Sequence, residues 1–240
     1  MIKDKINILL TNEGQISGFR KLQDLGFIVH HFPMIKTQPI QDSIPFNTDN
    51  FEYYIFTSKN SVRHFFSLPF VNSDLFAKPV ICIGTKTEEQ LNKFNISSEY
   101  TAKRNYSENL GLELEKIGII NSKKVMLVQG NLSKNILPDY LKKFCDLTRF
   151  VAYKTSLIDS INKDLMPILN IKDLHAVFTS PSGFESFKNL YDPKDIKLIS
   201  IGNSTSSYIK KCGFLPIITS KMQSYEGISD SIISHFNTIK

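Results

Sequence analysis

Five short segments gather the side chains that could handle a polar ligand: Thr57-Ser58-Lys59-Asn60-Ser61, Gly84-Thr85-Lys86-Thr87, Gly130-Asn131, Thr179-Ser180-Pro181-Ser182-Gly183 and Gly202-Asn203-Ser204-Thr205. Hydroxyls and amides donate and accept hydrogen bonds, and glycine lets a ligand approach the backbone. Where a helix opens beyond such a segment, its first N–H groups add a partial positive charge suited to carboxylate or phosphate. The residues expected to face a ligand are Thr57, Ser58, Lys59, Asn60, Thr85, Thr87, Gly130, Asn131, Thr179, Ser180, Ser182, Gly183, Gly202, Ser204 and Thr205. Ser and Thr here also serve as helix N-caps, each contributing about 1 kcal/mol, and for any single residue that reading stands beside the first. A cap needs one hydroxyl, whereas these loops carry several.

Tyr153, in Val151-Ala152-Tyr153-Lys154-Thr155, is the remaining candidate. On an extended segment its ring can pack while its hydroxyl donates a hydrogen bond or a proton, and a purely structural aromatic is the alternative. Lys59, Lys86 and Lys134 fall in or beside the loops, where they could meet an anion; the other lysines read as solvated helix faces.

Several chemistries are excluded. No Gly-x-Gly-x-x-Gly and no Gly-x-x-x-x-Gly-Lys-Ser/Thr occurs, so no nucleotide fingerprint is present. The histidines His30, His31, His64, His175 and His235 lack metal-ligand spacing, and the expected metal content is none. Cys82, Cys145 and Cys212 form no close pair, which argues against a redox motif or a disulfide framework and for a reducing, cytoplasmic setting. Cys82, within an apolar strand, reads as a core residue. The first residues are too interrupted for a signal sequence, and no later stretch reaches the ~18 apolar residues of a membrane span. A net charge of +6 and a pI near 9.0 favour an anionic partner. The chain lacks the dense basic stripe and aromatic-studded sheet of a nucleic-acid binder, and no apolar surface stripe argues against a monomer.

The elements that must position these residues follow from periodicity. Short apolar runs alternate with amphipathic stretches of helical length, the pattern of parallel α/β architecture. Strands are expected at Ile6–Thr11, Phe27–Phe32, Tyr53–Thr57, Val80–Ile83, Val125–Val128, Phe150–Tyr153, Ala176–Thr179, Leu198–Ile201 and Leu215–Thr219, with a helix over Ile16–Leu25. In open parallel sheets ligands bind beyond the carboxyl ends of the strands, where the hydroxyl-rich loops fall. An internal repeat changes the domain count. At an offset of 118, Ile83-Gly84-x-x-Thr87 matches Ile201-Gly202-x-x-Thr205, Thr101 matches Thr219 and Lys103 matches Lys221. At an offset of 122, Phe56-Thr57-Ser58 matches Phe178-Thr179-Ser180. Two similar α/β units are therefore expected, crossing at the extended connectors Phe32–Ile40 and Phe150–Ile158, with two sets of loops lining one cleft.

Taken together, Phe56-Thr57-Ser58-Lys59-Asn60-Ser61-Val62, Ile83-Gly84-Thr85-Lys86-Thr87, Val151-Ala152-Tyr153-Lys154-Thr155, Phe178-Thr179-Ser180-Pro181-Ser182-Gly183, Ile201-Gly202-Asn203-Ser204-Thr205 and Tyr225-Glu226-Gly227 resemble the uroporphyrinogen-III synthase family. The resemblance runs over nearly the whole chain. It implies two parallel-sheet α/β domains joined by a two-stranded β ladder, one of them discontinuous: residues 1–33 with 158–240, and 42–148, with connectors at 34–41 and 149–157. It implies a cyclising lyase that closes the linear tetrapyrrole hydroxymethylbilane with inversion of ring D and loss of water, without metal or organic cofactor. Tyr153 matches the position suspected of assisting hydroxyl departure. The chain departs from the family at Asn12-Glu13-Gly14 and at Asn131-Leu132-Ser133-Lys134, where arginines are common; Lys134 can replace the charge but not the bidentate fork. A non-catalytic two-domain protein that closes on an anionic small molecule would use the same loops.

Overall fold

The computed structural model describes residues 6–14, 16–40, 47–102 and 107–238. Lys103 of the repeat and Gln41, the end of the first connector, lie outside the described residues. The elements in chain order are β1 (Asn7–Leu10), α1 (Arg20–Asp24), β2 (Ile28–His31), β3 (Ile35–Pro39), β4 (Tyr53–Phe56), α2 (Lys59–Phe65), β5 (Val80–Ile83), α3 (Thr85–Asn92), β6 (Tyr100–Ala102), α4 (Ser107–Ile117), β7 (Lys124–Gly130), α5 (Ile136–Leu141), β8 (Asp146–Leu157), α6 (Met166–Leu169), β9 (His175–Phe178), α7 (Pro181–Leu190), β10 (Lys197–Ser200), α8 (Asn203–Lys211), β11 (Ile218–Thr219) and α9 (Tyr225–Thr238). None of the described helices is long and apolar enough to cross a membrane.

The chain divides into two compact units, Met1–Lys36 with Ser156–Lys240, and Thr37–Thr155. In the first, a five-stranded sheet runs β11-β10-β9-β1-β2; in the second, a six-stranded sheet runs β3-β8-β7-β4-β5-β6. The pairs from β2 through β11 and from β8 through β6 are parallel. Reading β2-β1-β9-β10-β11 against β8-β7-β4-β5-β6 places the repeat's Thr219 and Thr101 on equivalent edge strands, β11 and β6. β3 is the added strand. Ile158 N–H donates to Met34 O and Ile40 N–H to Ala152 O, so β3 and β8 run antiparallel as a ladder.

Both faces of each sheet are covered, which is why its central strands read as continuous apolar runs. On β9, Ala176 and Phe178 pack with Phe184, Phe187 and Ile209, while Val177 faces Ile8, Leu10, Phe19 and Ile228 on the other side. In the second unit Tyr54, Phe56, Cys82 and Met126 pack with Val62, Phe65 and Leu91, and Ile55, Ile81 and Leu127 with Leu110, Leu114 and Leu141. Cys82 is wholly buried and its thiol pKa is pushed up to about 12 by that burial, so it is a core residue.

Three elements differ from the sequence reading. The helix expected over Ile16–Leu25 is a 3-10 turn, Ser17–Phe19, followed by the five residues of α1; Phe19, at φ −104 and ψ 0, interrupts the α geometry between them. The strand expected over Leu215–Thr219 shrinks to Ile218–Thr219, since Pro216 has no N–H to give a ladder. β6 has no apolar run to announce it and forms because β5 offers an open edge to Tyr100–Ala102.

Candidate active site

In the second unit, the carboxyl ends of β4, β5 and β7, with Tyr153 from within β8, surround a cavity of about 240 Å³ lined by Thr57, Ser58, Ile83, Gln129, Ser133, Lys134, Leu137 and Tyr153. Ile83 and Leu137 are its aliphatic lining, and the rest carries hydroxyls, an amide and one ammonium, groups able to hydrogen-bond an anionic or polar molecule without supplying a strong acid.

Backbone irregularity aims Tyr153. β7 and β8 pair in register up to Gln129 with Val151, and then Gly130 pairs with Tyr153, leaving Ala152 as the extra residue of a bulge. The Tyr153 ring lies over Gly130: a Cβ built there would stand 2.5 Å from Tyr153 Cζ and 2.8 Å from its hydroxyl oxygen. Glycine at 130 thus makes room for the tyrosine. The Tyr153 hydroxyl is 3.3 Å from Ser58 Oγ.

Ser58 has two duties. Its Oγ accepts from Ser61 N–H at 3.0 Å, while Ser61 Oγ accepts from Ser58 N–H at 3.1 Å, a capping box that satisfies N–H groups opening α2. Ser58 thus caps a helix and also lines the cavity.

The loop between β7 and α5 is held by Arg149 of β8. Its Nη1 donates to Asn135 Oδ1 at 2.7 Å and its Nη2 to Ser133 O at 3.1 Å. With the Gln129 amide oxygen turned toward it, the guanidinium also donates to that oxygen through Nε and, at 2.9 Å, Nη2. Asn131 ties the loop to β8, its N–H donating to Tyr153 O at 3.1 Å and its Oδ1 accepting from Thr155 N–H at 2.8 Å. Lys134, exposed, is the cation this loop brings to the cavity.

Of the residues singled out from sequence, Thr57, Ser58, Lys134 and Tyr153 line this cavity, and Gly130 and Asn131 support it from behind. Lys59 and Asn60 occupy the first turn of α2 and Thr85 the first turn of α3, outside the lining. Thr87 is buried and donates back to Ile83 O at 2.7 Å. Thr179, Ser180, Ser182 and Gly183 gather at the end of β9 in the first unit. There Ser180 Oγ accepts from Gly183 N–H at 3.0 Å to cap α7 and lies 3.1 Å from Ser182 Oγ. At the end of neighbouring β10, Ser204 is exposed, Thr205 is buried, and a Cβ at Gly202 would stand 2.7 Å from Gln223 Cγ. Asn12 is buried; burial raises the pKa of Tyr225, and a hydrogen bond from Asn12 works against that rise.

Sequence reasoning missed Ile83, Gln129, Ser133 and Leu137 in the lining and Arg149 behind it. Gln129 and Leu137 resemble ordinary strand and helix residues. Arg149, one of four arginines and set on a connector strand, was a usable signal. Among the described residues, no group of three or more His, Cys, Asp or Glu is arranged to hold a metal ion.

Two units of matching parallel order, with hydroxyl loops at the strand ends and, in the second, a tyrosine beside a serine in a small cavity, define a two-unit α/β protein. The family model for uroporphyrinogen-III synthase HemD matches residues 19–230, and the chain belongs to that family. In fold it is similar to the uroporphyrinogen-III synthetase of Helicobacter pylori 26695, with a TM-score of 0.69 at 17% identity over 96% of this chain and 99% of that one. A mutant uroporphyrinogen III synthase of the extremely thermophilic bacterium Thermus thermophilus superposes with a TM-score of 0.59 at 14% identity, covering 97% of this chain and 99% of the other. No curated protein matches the chain.

Proposed function

We propose that the chain acts as a cyclising lyase on hydroxymethylbilane, closing it with inversion of ring D to uroporphyrinogen III, and that the Tyr153 hydroxyl assists departure of the substrate's hydroxyl. The observation that carries this reading is the pairing of Tyr153 with Ser58 in the cavity of a chain whose family match spans residues 19–230. The substrate is a polycarboxylate, which suits the net positive charge, Lys134 and the hydroxyls of Thr57, Ser58 and Ser133. It is also reactive by itself: an electron-rich pyrrole pushes out its hydroxymethyl oxygen. Tyr153 donates its proton to that oxygen, the C–O bond breaks and water leaves. The substituted carbon of ring D then attacks the freed methylene, giving a spiro intermediate that rearranges, and the proton lost on rearomatisation can return to the phenolate. The task is to hold ring D so that this attack outruns simple closure to isomer I. Ser180 and Ser182 are proposed as further contacts to carboxylates or pyrroles; Thr87 and Thr205, both buried, are not, and Thr87 donates to Ile83 O. The free thiols of Cys82, Cys145 and Cys212 fit a reducing, cytoplasmic setting.

The test supplies hydroxymethylbilane and separates isomers III and I by chromatography. The native chain should yield isomer III, and Tyr153→Phe should lower turnover by about 100-fold or more. Isomer I alone from the native chain overturns the assignment, and a loss under about tenfold reduces Tyr153 to a positioning role.

A further inference from the structure

We propose that His64 is a positioning residue that fixes the ring plane of Tyr153, and that Arg63 and Thr37 hold His64 in the tautomer this requires. The inference rests on the reading of Tyr153 as the hydroxyl that assists the reaction. His64 belongs to α2, the helix that Ser58 caps, and its side chain is buried. Its ring stacks on Tyr153 with centroids 5.2 Å apart and planes at 24°. Gly130 lets the tyrosine ring lie against β7, and His64 covers a face of it, so both the placement and the tilt of the phenol are constrained.

The edge of the imidazole is constrained as well. His64 Nε2 lies 3.1 Å from Arg63 Nη2 and 3.2 Å from Thr37 Oγ1, while Arg63 Nη2 donates to Thr37 Oγ1 at 2.8 Å. A guanidinium only donates, so Nε2 must present its lone pair, and the ring proton sits on Nδ1. A hydroxyl both accepts and donates, so Thr37 Oγ1 can take the Arg63 hydrogen and direct its own O–H at Nε2. The arrangement selects the neutral ring, because an imidazolium would set an N–H against the guanidinium. A phenylalanine at 64 would offer the same stacking face but no edge atom for Thr37 and Arg63 to hold. Histidine supplies both, and a misplacement of about 1 Å in a reacting group can cost roughly 100-fold in rate.

The experiment combines steady-state kinetics on hydroxymethylbilane with ¹⁵N NMR of histidine-labelled full-length protein. His64→Ala should lower kcat by about tenfold or more while KM stays within about twofold, since the contact serves the reacting group and not binding. His64→Phe, which keeps the stacked ring and guards against misfolding of the alanine variant, should recover part of that loss. In a Tyr153→Phe background, His64→Ala should cost nothing further. The His64 resonances, identified by their loss in His64→Phe, should report the Nδ1–H tautomer, and Arg63→Gln should shift them toward a mixture. Native kcat in His64→Ala, additive losses in the double variant, or an Nε2–H tautomer would each overturn the proposal. Full turnover in Tyr153→Phe alone would instead sink the underlying assignment of Tyr153, and the tautomer measurement keeps the two failures apart.

Discussion

His175 and His64 illustrate how differently two buried histidines can be used. His64 has hydrogen-bond partners at its edge and an aromatic ring on its face, whereas His175, at the start of β9, packs edge-to-face on Phe236 with centroids 5.0 Å apart. Burial lowers the pKa of His175, with a backbone contact at Asp173 opposing, and burial likewise lowers that of His30. The folded state thus favours the neutral ring and the unfolded state binds more protons near and below the ordinary histidine value. Stability from this source is complete above that value and is lost as pH falls through it. Urea midpoints of the native chain should therefore drop between about pH 7.5 and 5.5, and less steeply in His175→Phe, which keeps the contact with Phe236. Equal slopes would remove His175 from the account. The sequence named Tyr153 and Gly130 separately; that the second exists to accommodate the first depends on a bulge that pairs them.

At the scale of elements, the hydroxyl loops after β4 and β9 cap the helices that follow them. Ser58 and Ser180 occupy equivalent positions after β4 and β9, and both cap the following helix through the N–H three residues on. Removing the cap should cost about 1 kcal/mol in Ser180→Ala, measured by denaturant unfolding, whereas Ser180→Asp, which caps as well, should cost little. No loss in the alanine variant would mean that the Ser180 bond is not stabilising α7. The repeated Phe-Thr-Ser made these two caps legible. The repeated Ile-Gly-x-x-Thr conceals a difference: Gly84 has φ +77, a left-handed conformation that favours glycine, while Gly202 is extended and needed for close approach of Gln223. One motif is thus kept for two physical reasons, which a string of letters does not separate.

For the whole molecule, the partition of the core decides what can fold alone. The clusters around Phe56 and around Leu127 lie wholly within residues 37–155, and those around Phe178 and Ile8 lie wholly outside that span. A fragment of residues 37–155 should accordingly show native-like α/β circular dichroism and a cooperative melt; a disordered or non-cooperative fragment would show that its two-faced core is insufficient. The α/β class and most strands were determined by the sequence alone, because burial on both faces writes continuous apolar runs and strand ends write Ser, Thr and Gly. The pairing of Tyr153 with Ser58, the grip of Arg149 on the loop before α5 and the stack of His64 on Tyr153 were decided by tertiary structure. Each joins residues far apart in the chain through side-chain direction and register, and a shift of one residue in a strand, such as the bulge at Gly130, reverses which way a side chain points.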